Sequence, residues 1–269
     1  LLFETDLAKR LDEYVEGRQG KGQYASETSK IIEMCSAKIG SPVVNFRHEG
    51  GANTSRPIVN SGSQVFVSPK DHREHGSKLT DITLVHHNKK ESYLSLKYSS
   101  TLTFVNSGVS KIFPETEIKK GSISSPVGKA IMSAFGIDEL LFCNVFNDYG
   151  KGTRHATGVN VSSKIDRNAL KLFLSTAIGS DYWMIHGMDG GKIWSWYMDP
   201  SKNNTMSTIS GPIIIDYGGS SGTGKRVNIS FSNSFFDFTV NIRNKQSGRY
   251  PSHIMCDYKS KPATGKKLL

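Results

Sequence analysis

The sequence predicts a mixed α/β fold in which a central mixed β-sheet is flanked by helices and extended by extra strands towards the C terminus. Apolar residues recur at helical spacing early in the chain, over residues 2–15 and 26–38. Two segments of alternating polarity, residues 79–85 and 92–98, follow as a strand pair with a polar connection. Early helices, a strand pair in mid-chain and further strands late are typical of one mixed domain.

Each predicted helix has its own local signal. In the first helix, Phe3, Leu7 and Leu11 fall on one face. The second helix begins with Ser26 as its N-cap and stops at Gly40. Helical spacing also covers residues 126–135 and 168–178.

The last third of the chain is mainly strand-like, and the chain contains no internal repeat and no long linker. We therefore expect a single domain over all 269 residues. The strand-like segments are residues 183–186, 192–197, 213–217, 227–231 and 236–242. Within the domain we expect a core over about residues 1–180, a β-rich part over about 181–258 and a basic tail over 259–269.

Charge and hydropathy limit the class of partner. The chain carries a net charge of +10 and has a pI near 9.4. A domain this basic favours a polyanionic partner, usually nucleic acid. No apolar run reaches the length of about 18 residues that a spanning helix needs, so we expect no membrane partner.

Cysteine usage and the first residues predict the compartment. Cys35, Cys143 and Cys256 are far apart and form no CxxC pair, so we expect small core residues rather than a disulfide framework or a cysteine zinc site. This pattern favours a reducing compartment. The first four residues lack the basic start of a signal peptide. We therefore expect an intracellular, cytoplasmic protein that is not secreted.

The strand pair carries the candidate catalytic residues. Because side chains alternate along a strand, Asp81 shares the polar face of the first strand, and Ser95 and Lys97 share that of the second. If the turn centres near Lys89, Asp81 falls opposite Lys97, with Cβ atoms roughly 5 Å apart. The opposite face carries large aliphatic side chains and should be buried.

This combination suits phosphodiester cleavage. A carboxylate binds a hard divalent cation such as Mg²⁺ through oxygen. Such a cation polarises a phosphate and lowers the pKa of bound water. A lysine near that water can orient it or stabilise the negative charge that develops in the transition state.

Asp81, a run of 13 residues and then Ser95-Leu96-Lys97 resembles the active-site hairpin of the PD-(D/E)XK nuclease superfamily, which includes many restriction and phage enzymes. In that family an Asp begins one strand and an acid-x-Lys triplet lies on the next. The resemblance implies a restriction-endonuclease-like fold, a bacterial or phage origin and Mg²⁺ (or Mn²⁺) as cofactor. It implies that Asp81 binds the metal, that Leu96 offers its backbone carbonyl to the metal, and that Lys97 is the catalytic lysine.

Two positions depart from the family pattern. Thr80 stands where the family has Pro, and Ser95 stands where it has the second acid. A hydroxyl is a weaker magnesium ligand than a carboxylate, so Ser95 would be a weak ligand or act indirectly. Some members take the acid from a preceding helix, and Glu27 is our candidate, although an acid in a first helical turn also stabilises the helix dipole. Weaker candidates are Glu4 and Glu49.

Two basic segments late in the chain are candidate DNA contacts. The segment Gly219 to Lys225 fits the first part of a P-loop, but Arg226 replaces the required Ser or Thr and a strand pattern follows. We therefore expect a Gly-rich hairpin loop whose end contacts DNA phosphate, together with a polar turn after residue 242. The candidate contacts are Lys225, Arg226, Arg243, Lys245 and Arg249.

The sequence thus predicts a metal-dependent endonuclease that hydrolyses DNA phosphodiester bonds and is compatible with a homodimer. A non-catalytic nucleic-acid-binding or viral structural protein with a degenerate nuclease fold is the alternative. An RNA nuclease with the same hairpin is a third hypothesis.

Overall fold

The computed structural model describes residues 2–17, 25–49, 56–70, 75–98, 101–188, 192–244, 248–261 and 266–267. Within these ranges it has eight helices. They are α1 (Leu2–Val15), α2 (Ala25–Ile39), α3 (His75–Leu79), α4 (Glu115–Lys120), α5 (Pro126–Phe135), α6 (Glu139–Asn147), α7 (Arg167–Ile178) and α8 (Pro200–Met206). The predicted helices correspond to α1, α2, α5 and α7. Ser26 lies inside α2 rather than at its N-cap, and Gly40 follows its end with φ 71°.

The strands of the described residues form two six-stranded sheets and one small hairpin. The first sheet has the order β1 (Val43–His48), β4 (Ile82–His86), β5 (Glu91–Tyr98), β8 (Tyr182–Met188), β9 (Lys192–Met198) and β14 (Lys266–Lys267). Its neighbours are antiparallel except β5 and β8, which are parallel. The hairpin joins β2 (Ile58–Ser61) to β3 (Gln64–Val67).

The second sheet is antiparallel throughout. Its order is β6 (Leu102–Gly108), β13 (His253–Ser260), β12 (Phe236–Arg243), β11 (Arg226–Ser232), β10 (Ser210–Tyr217) and β7 (Val159–Asn160). The predicted mixed α/β class is therefore confirmed.

The two sheets do not follow the expected division of the chain near residue 180. Strands β8 and β9 belong to the first sheet, because β8 pairs with β5, and β6 belongs to the second sheet, because it pairs with β13. Which sheet each of these strands joins depends on pairing between segments far apart in sequence. The polarity pattern within a single strand does not determine that pairing. The expected basic tail also starts too early, because Lys259 and Ser260 end strand β13.

The apolar face of the β4–β5 hairpin is buried as predicted. Ile82, Leu84, Leu94 and Leu96 are at most 9% exposed and pack under α1 and α2. Burying such side chains contributes about 1.5–3 kcal/mol each relative to exposure. The opposite face of the first sheet joins a larger core that includes the inner face of the second sheet. This packing fixes which face of the hairpin carries the polar residues.

The predicted register of the hairpin is wrong by two residues. Ile82 pairs with Leu94 and Val85 with Glu91, so the turn centres on Asn88 rather than Lys89. His86 extends the strand because it is buried and hydrogen-bonded to the Ser41 carbonyl and to Ser92. Asp81 therefore lies opposite Ser95 instead of Lys97. A shift of two residues keeps each side chain on its face, so Asp81, Ser95 and Lys97 still share one side.

We compared the length and apolar character of the described helices with those needed to cross a bilayer. Among the described residues no single helix is both long and apolar enough to cross a bilayer, whereas α5 and α6 meet the requirement only together, with a bend of 108° between them.

Candidate active site

Asp81 is positioned by a turn between α3 and β4. Its backbone N–H donates to the Leu94 carbonyl at 2.8 Å. The Thr80 hydroxyl donates to the Ile82 carbonyl at 2.6 Å and accepts the Leu94 N–H at 3.2 Å. Thr80 thus ties the start of β4 to β5, through bonds that the family's Pro could not make.

The Asp81 carboxylate reaches the strand that carries Lys97. Its Oδ2 accepts the Leu96 N–H at 2.6 Å. In a strand, the N–H and C=O of one residue point towards the same neighbour. The Leu96 carbonyl is therefore directed to the Asp81 side of β5, where the resemblance requires it.

Asp81 and Lys97 line one cavity of about 180 Å³. Both side chains are half-buried. The structure therefore brings together the two residues that the sequence singled out first. The cavity is lined by Arg56, Lys78, Leu79, Thr80, Asp81, Lys97, Phe104, Val105 and Asn106.

Glu49 lies next to Asp81 across the strands. The Glu49 N–H donates to the Asp81 carbonyl at 3.0 Å, which continues the pairing of His48 with Ile82. Glu49 directly follows β1 and Asp81 directly precedes β4, and Glu49 and Ser95, unlike Asp81, do not line the cavity. The Glu49 Oε1 accepts a 2.6 Å bond from the Thr83 hydroxyl, which lies on the face of Asp81.

An ion-pair network organises the outer part of this face. Arg47 lies 2.8 Å from Glu91 and 3.4 Å from Glu49. The hydrogen bond from Arg47 lowers the pKa of the Glu91 carboxyl. Tyr93 donates to Glu91 at 3.1 Å, and burial raises the pKa of the Tyr93 phenol. Two carboxylates, Glu49 and Glu91, therefore share the Arg47 guanidinium.

The other proposed acids lie elsewhere. Glu27 is buried in the first turn of α2, on the helix that packs against the opposite face of the sheet, and it does not line the cavity. The Glu4 side chain is outside the described residues. Ser95 is on the expected face but only 2% exposed.

The oxygen donors of this face fit a hard cation. The Asp81 and Glu49 carboxylates and the Leu96 carbonyl are the ligand types that Mg²⁺ and Mn²⁺ prefer. Among the described residues, no three His, Cys, Asp or Glu side chains form a metal-binding group. A site here would thus depend on backbone carbonyls and water beside its carboxylates, as Mg²⁺ sites commonly do.

The basic residues predicted to contact DNA collect at one end of the second sheet. Arg226 pairs directly with Arg243 across β11 and β12. Lys225 donates to the Gly248 carbonyl at 2.8 Å, and its ammonium lies 4.6 Å from the Tyr149 ring centre. Arg249 donates to the Phe146 carbonyl at 2.9 Å. Lys245 falls outside the described residues.

This basic end is connected to the cavity by the outer face of the second sheet. His253 pairs with Arg243 on one side and with Gly108 on the other. Two residues before Gly108, Asn106 is exposed on the same face and also lines the cavity beside Asp81. Arg226, Arg243 and His253 therefore form a row of basic residues across β11, β12 and β13, on the face from which Asn106 reaches the cavity.

Three residues near the site were not predicted from the sequence as leading candidates. Arg56 stands in a Gly-, Asn- and Ser-rich stretch without clear patterning, and Lys78 was assigned no role. Glu49 was ranked below Glu27. Extending the strand register by one pair beyond His48 would have identified Glu49 as a neighbour of Asp81.

The remaining motifs keep structural roles. The Gly-rich segment joins antiparallel β10 and β11 with no helix after it, so the hairpin-loop interpretation is confirmed. A Cβ on Gly218 would lie 2.4 Å from the Gly222 backbone, which explains the glycine. All three cysteines are buried and free, as predicted. His86, which directly follows the predicted strand over residues 79–85, is buried.

No protein-family model, no curated protein and no solved structure matches this chain. Its function is therefore inferred from the geometry of its own residues and from the resemblance of its hairpin.

Proposed function

We propose that this protein is a Mg²⁺- or Mn²⁺-dependent endonuclease of the PD-(D/E)XK type that hydrolyses DNA phosphodiester bonds. One observation carries the proposal: Asp81 and Lys97 line the same cavity, and the Asp81 carboxylate is held by the Leu96 N–H at 2.6 Å. The mixed sheet with α1 and α2 packed on one face supports it, because the resemblance implies a mixed sheet flanked by helices.

Each residue has a distinct role in this proposal. Asp81 and the Leu96 carbonyl hold the metal, which when bound supplies Lewis-acid activation of the phosphate and of water. Lys97 orients the attacking water or stabilises the charge that develops on the scissile phosphate. Ser95, buried behind Asp81, shapes the site instead of binding the metal strongly.

Glu49 is the acid that replaces the one missing at Ser95. It neighbours Asp81 in the strand register, and its Oε1 is fixed by Thr83 and Arg47. The fixed side chain requires little ordering to take part in a metal site, which lowers the entropic cost of binding. Glu27 lies on a helix across the sheet and is a structural acid in this account.

DNA is the substrate that the charge distribution favours. Like charges placed directly opposite each other on a sheet, such as Arg226 and Arg243, repel and are tolerated best when an anion neutralises them. Phosphate contacts orient a duplex without reading its sequence. The row from Arg226 to His253 would guide the backbone towards the cavity.

A non-catalytic DNA-binding role is the second candidate. It is favoured by Ser95 in place of the second acid and by the absence of a three-ligand metal group in the described ranges. The basic surface would be retained in that case and the cleavage lost.

A cleavage assay separates the two candidates. Wild-type protein and the Asp81→Ala and Lys97→Ala variants are incubated with supercoiled plasmid, single-stranded DNA and RNA, with Mg²⁺, Mn²⁺ or EDTA. We expect metal-dependent cleavage of DNA by the wild type alone. Equal inertness of all three proteins, with DNA binding intact, would leave the non-catalytic role. Cleavage of RNA only would correct the substrate.

A further inference from the structure

An exposed tyrosine lies among the basic residues at the end of the second sheet. Tyr149 is 40% exposed and belongs to neither apolar core of the described residues. Its ring contacts the Lys225 ammonium, which lies 4.6 Å from the ring centre. A single exposed aromatic side chain is common on protein surfaces. What distinguishes Tyr149 is the number of cations around it.

A second tyrosine lies close to the first, on the segment that holds Lys225. The Lys225 ammonium donates to the Gly248 carbonyl at 2.8 Å. The next residue, Arg249, donates to the last two carbonyls of α6, which ends two residues before Tyr149. Tyr250 is half-buried, and the Arg249 guanidinium carbon lies 5.8 Å from its ring centre. Two aromatic rings and two cations therefore share one surface.

The Gly-rich loop adds two arginines to this surface. A Cβ at Gly219 would lie 3.2 Å from the Arg226 side chain, and a Cβ at Gly222 would lie 3.1 Å from the Arg154 side chain. The two glycines have φ of 68° and 73°, which also favours glycine. Because these positions lack side chains, both arginines pack against the loop backbone. Arg154 and Arg226 are exposed there, next to Lys225 at the end of the loop.

The cations of this surface lack acidic partners. Among the described residues, no carboxylate lies within 4 Å of the charged groups of Arg154, Lys225, Arg226 or Arg249. Asp148, which precedes Tyr149, pairs with Lys151 at 3.2 Å. Clustered charges of one sign that are not balanced within the protein attract a ligand of the opposite sign. The surface therefore fits a polyanion.

The aromatic rings favour one form of DNA. In a duplex the bases stack on one another, so a protein meets phosphates and base edges rather than base faces. In a single strand the base faces are accessible and stack on aromatic side chains. Surfaces that bind single strands combine cations for the backbone with aromatic rings for the bases. Tyr149 and its surrounding cations provide both parts of that combination.

We propose that the basic end of the second sheet binds single-stranded DNA, with Tyr149 stacking on an unpaired base and Arg154, Lys225 and Arg226 contacting phosphates. The proposal rests on the proposed function in taking DNA as the ligand, and it adds the strand state that the protein prefers. None of these residues lines the cavity beside Asp81. Binding at this surface requires neither metal nor cleavage.

The test measures binding in EDTA, where no metal-dependent cleavage occurs. Fluorescence anisotropy compares three oligonucleotides of equal length: a single strand, a duplex of the same sequence, and an abasic strand that keeps the phosphates but has no bases. We expect the wild type to bind the single strand most tightly. Tyr149→Leu should weaken that binding by about tenfold, which is typical of one stacked base, and Tyr149→Phe should retain it. Binding of the duplex and of the abasic strand should not change in Tyr149→Leu.

Matched variants separate stacking from charge. Tyr14→Leu, at a tyrosine of α1 that is 43% exposed, should bind the single strand like the wild type. Arg154→Gln should reduce the slope of log affinity against log salt by about 0.7 for the single strand, because one phosphate contact is lost.

Three results would overturn the proposal. They are tighter binding of the duplex by the wild type, no loss of single-strand binding in folded Tyr149→Leu, and an equal loss for all three oligonucleotides. The last result would show that Tyr149 acts on the structure of the surface rather than on a base.

The two proposals fail in distinguishable ways. Single-strand binding that depends on Tyr149 in EDTA, without cleavage in Mg²⁺, would retain this surface and reject the nuclease. Cleavage in Mg²⁺ without any dependence of binding on Tyr149 would retain the nuclease and reject the single-strand surface.

Discussion

At the scale of single residues, the partners of the buried Arg56 could not be predicted from the residues around it in the sequence. Its guanidinium satisfies carbonyls of the last turn of α7 and of β6, elements that are far from it in sequence. Cations at helix C termini are favourable because the last carbonyls lack partners. Burial lowers the pKa of Arg56 to about 10, which still leaves it charged at neutral pH.

Replacing Arg56 with Met should destabilise the protein strongly. The change keeps much of the side-chain volume but leaves the Phe104, Thr176 and Ala177 carbonyls without their donor. Leaving a buried acceptor without its hydrogen-bond donor costs about 1–3 kcal/mol. Urea unfolding measures the loss, with Arg154→Met, at an exposed arginine, as the control. A loss below 1 kcal/mol would show that Arg56 is not structural.

The acid beside Asp81 is the point at which the sequence and the structure favour different residues. Glu27 was preferred on the precedent of a helix-borne acid, whereas strand register places Glu49 next to Asp81. Residues 50–55, between Glu49 and Arg56, lack a clear pattern, so the register of β1 could not be predicted. Asp81, Lys97 and their common face could be predicted, because strand alternation is local.

Measuring metal affinity would show whether Glu49 or Glu27 is the metal ligand. Glu49→Gln keeps the size of the side chain and removes its charge, so we expect Mn²⁺ binding to weaken by about tenfold or more, as it does when groups that support a metal site are removed. Glu27→Gln should bind Mn²⁺ like the wild type. Isothermal titration of both variants measures this, and the reverse ranking would restore Glu27 as the metal ligand.

At the scale of elements, the β4–β5 hairpin was predicted in its strands and faces but not in its register. The turn is tighter than expected, with the Lys89 N–H bonded to the His86 carbonyl at 2.8 Å and Lys89 at φ 64°. A lysine seldom adopts a left-handed conformation, so the sequence around the turn did not predict this geometry. Helix α3, which leads into Asp81, was likewise missed because it is a single short turn.

Gly76 allows helix α3 to pack closely against its neighbours, and a larger residue at this position should displace the helix. A Cβ at Gly76 would lie 2.4 Å from the Asp181 carbonyl and 2.5 Å from the Tyr93 ring. Overpacking of this kind costs about 1–3 kcal/mol. We expect Gly76→Ala to lower stability by that amount in urea unfolding and to reduce DNA cleavage, because Lys78 and Asp81 follow on the same segment.

Gly108→Ala is the control for this substitution. Gly108 has no atom closer than 4.0 Å to an added Cβ, and its φ is not in the left-handed range. Its stability should stay within about 0.5 kcal/mol of the wild type. Equal stability of the two variants would show that α3 can shift without cost.

At the scale of the whole molecule, one large core joins both sheets and is rich in buried aromatic rings. Sequence patterning predicted most of these strands, yet not that β8 and β9 complete the first sheet while β6 joins the second. Such pairings depend on contacts between distant segments. They place Asn106, which lies on the same face of the second sheet as the row of Arg226, Arg243 and His253, beside Asp81 of the hairpin.

The buried tyrosines should make stability fall at alkaline pH. Burial raises the pKa of Tyr182 well above its ordinary value, and the Tyr182 hydroxyl donates to the Ile178 carbonyl at 2.7 Å. The folded protein therefore keeps a proton that the unfolded chain releases near pH 10. This stabilisation is present below pH 10 and is lost as pH rises towards the pKa of the folded state.

Tyr182→Phe isolates this contribution. Above pH 10 the wild type should lose about 1.4 kcal/mol per pH unit more than the variant, because one proton is involved. Urea unfolding between pH 8 and 11 measures the difference, with Tyr149→Phe at an exposed tyrosine as the control. Parallel pH curves for wild type and Tyr182→Phe would contradict the assignment.

The central claim is that Asp81 and Lys97 act together on DNA, and plasmid nicking tests it most directly. The rate of Mg²⁺-dependent conversion of supercoiled plasmid is measured for the wild type, Asp81→Asn, Lys97→Gln and the control Asp237→Asn, whose carboxylate pairs with Lys261 on the surface. We predict nicking by the wild type and the control, and a loss of about 100-fold or more in each site variant, as expected when charge stabilisation at the reacting phosphate is removed. Equal rates for all four folded proteins, or no nicking by any of them, would contradict the account.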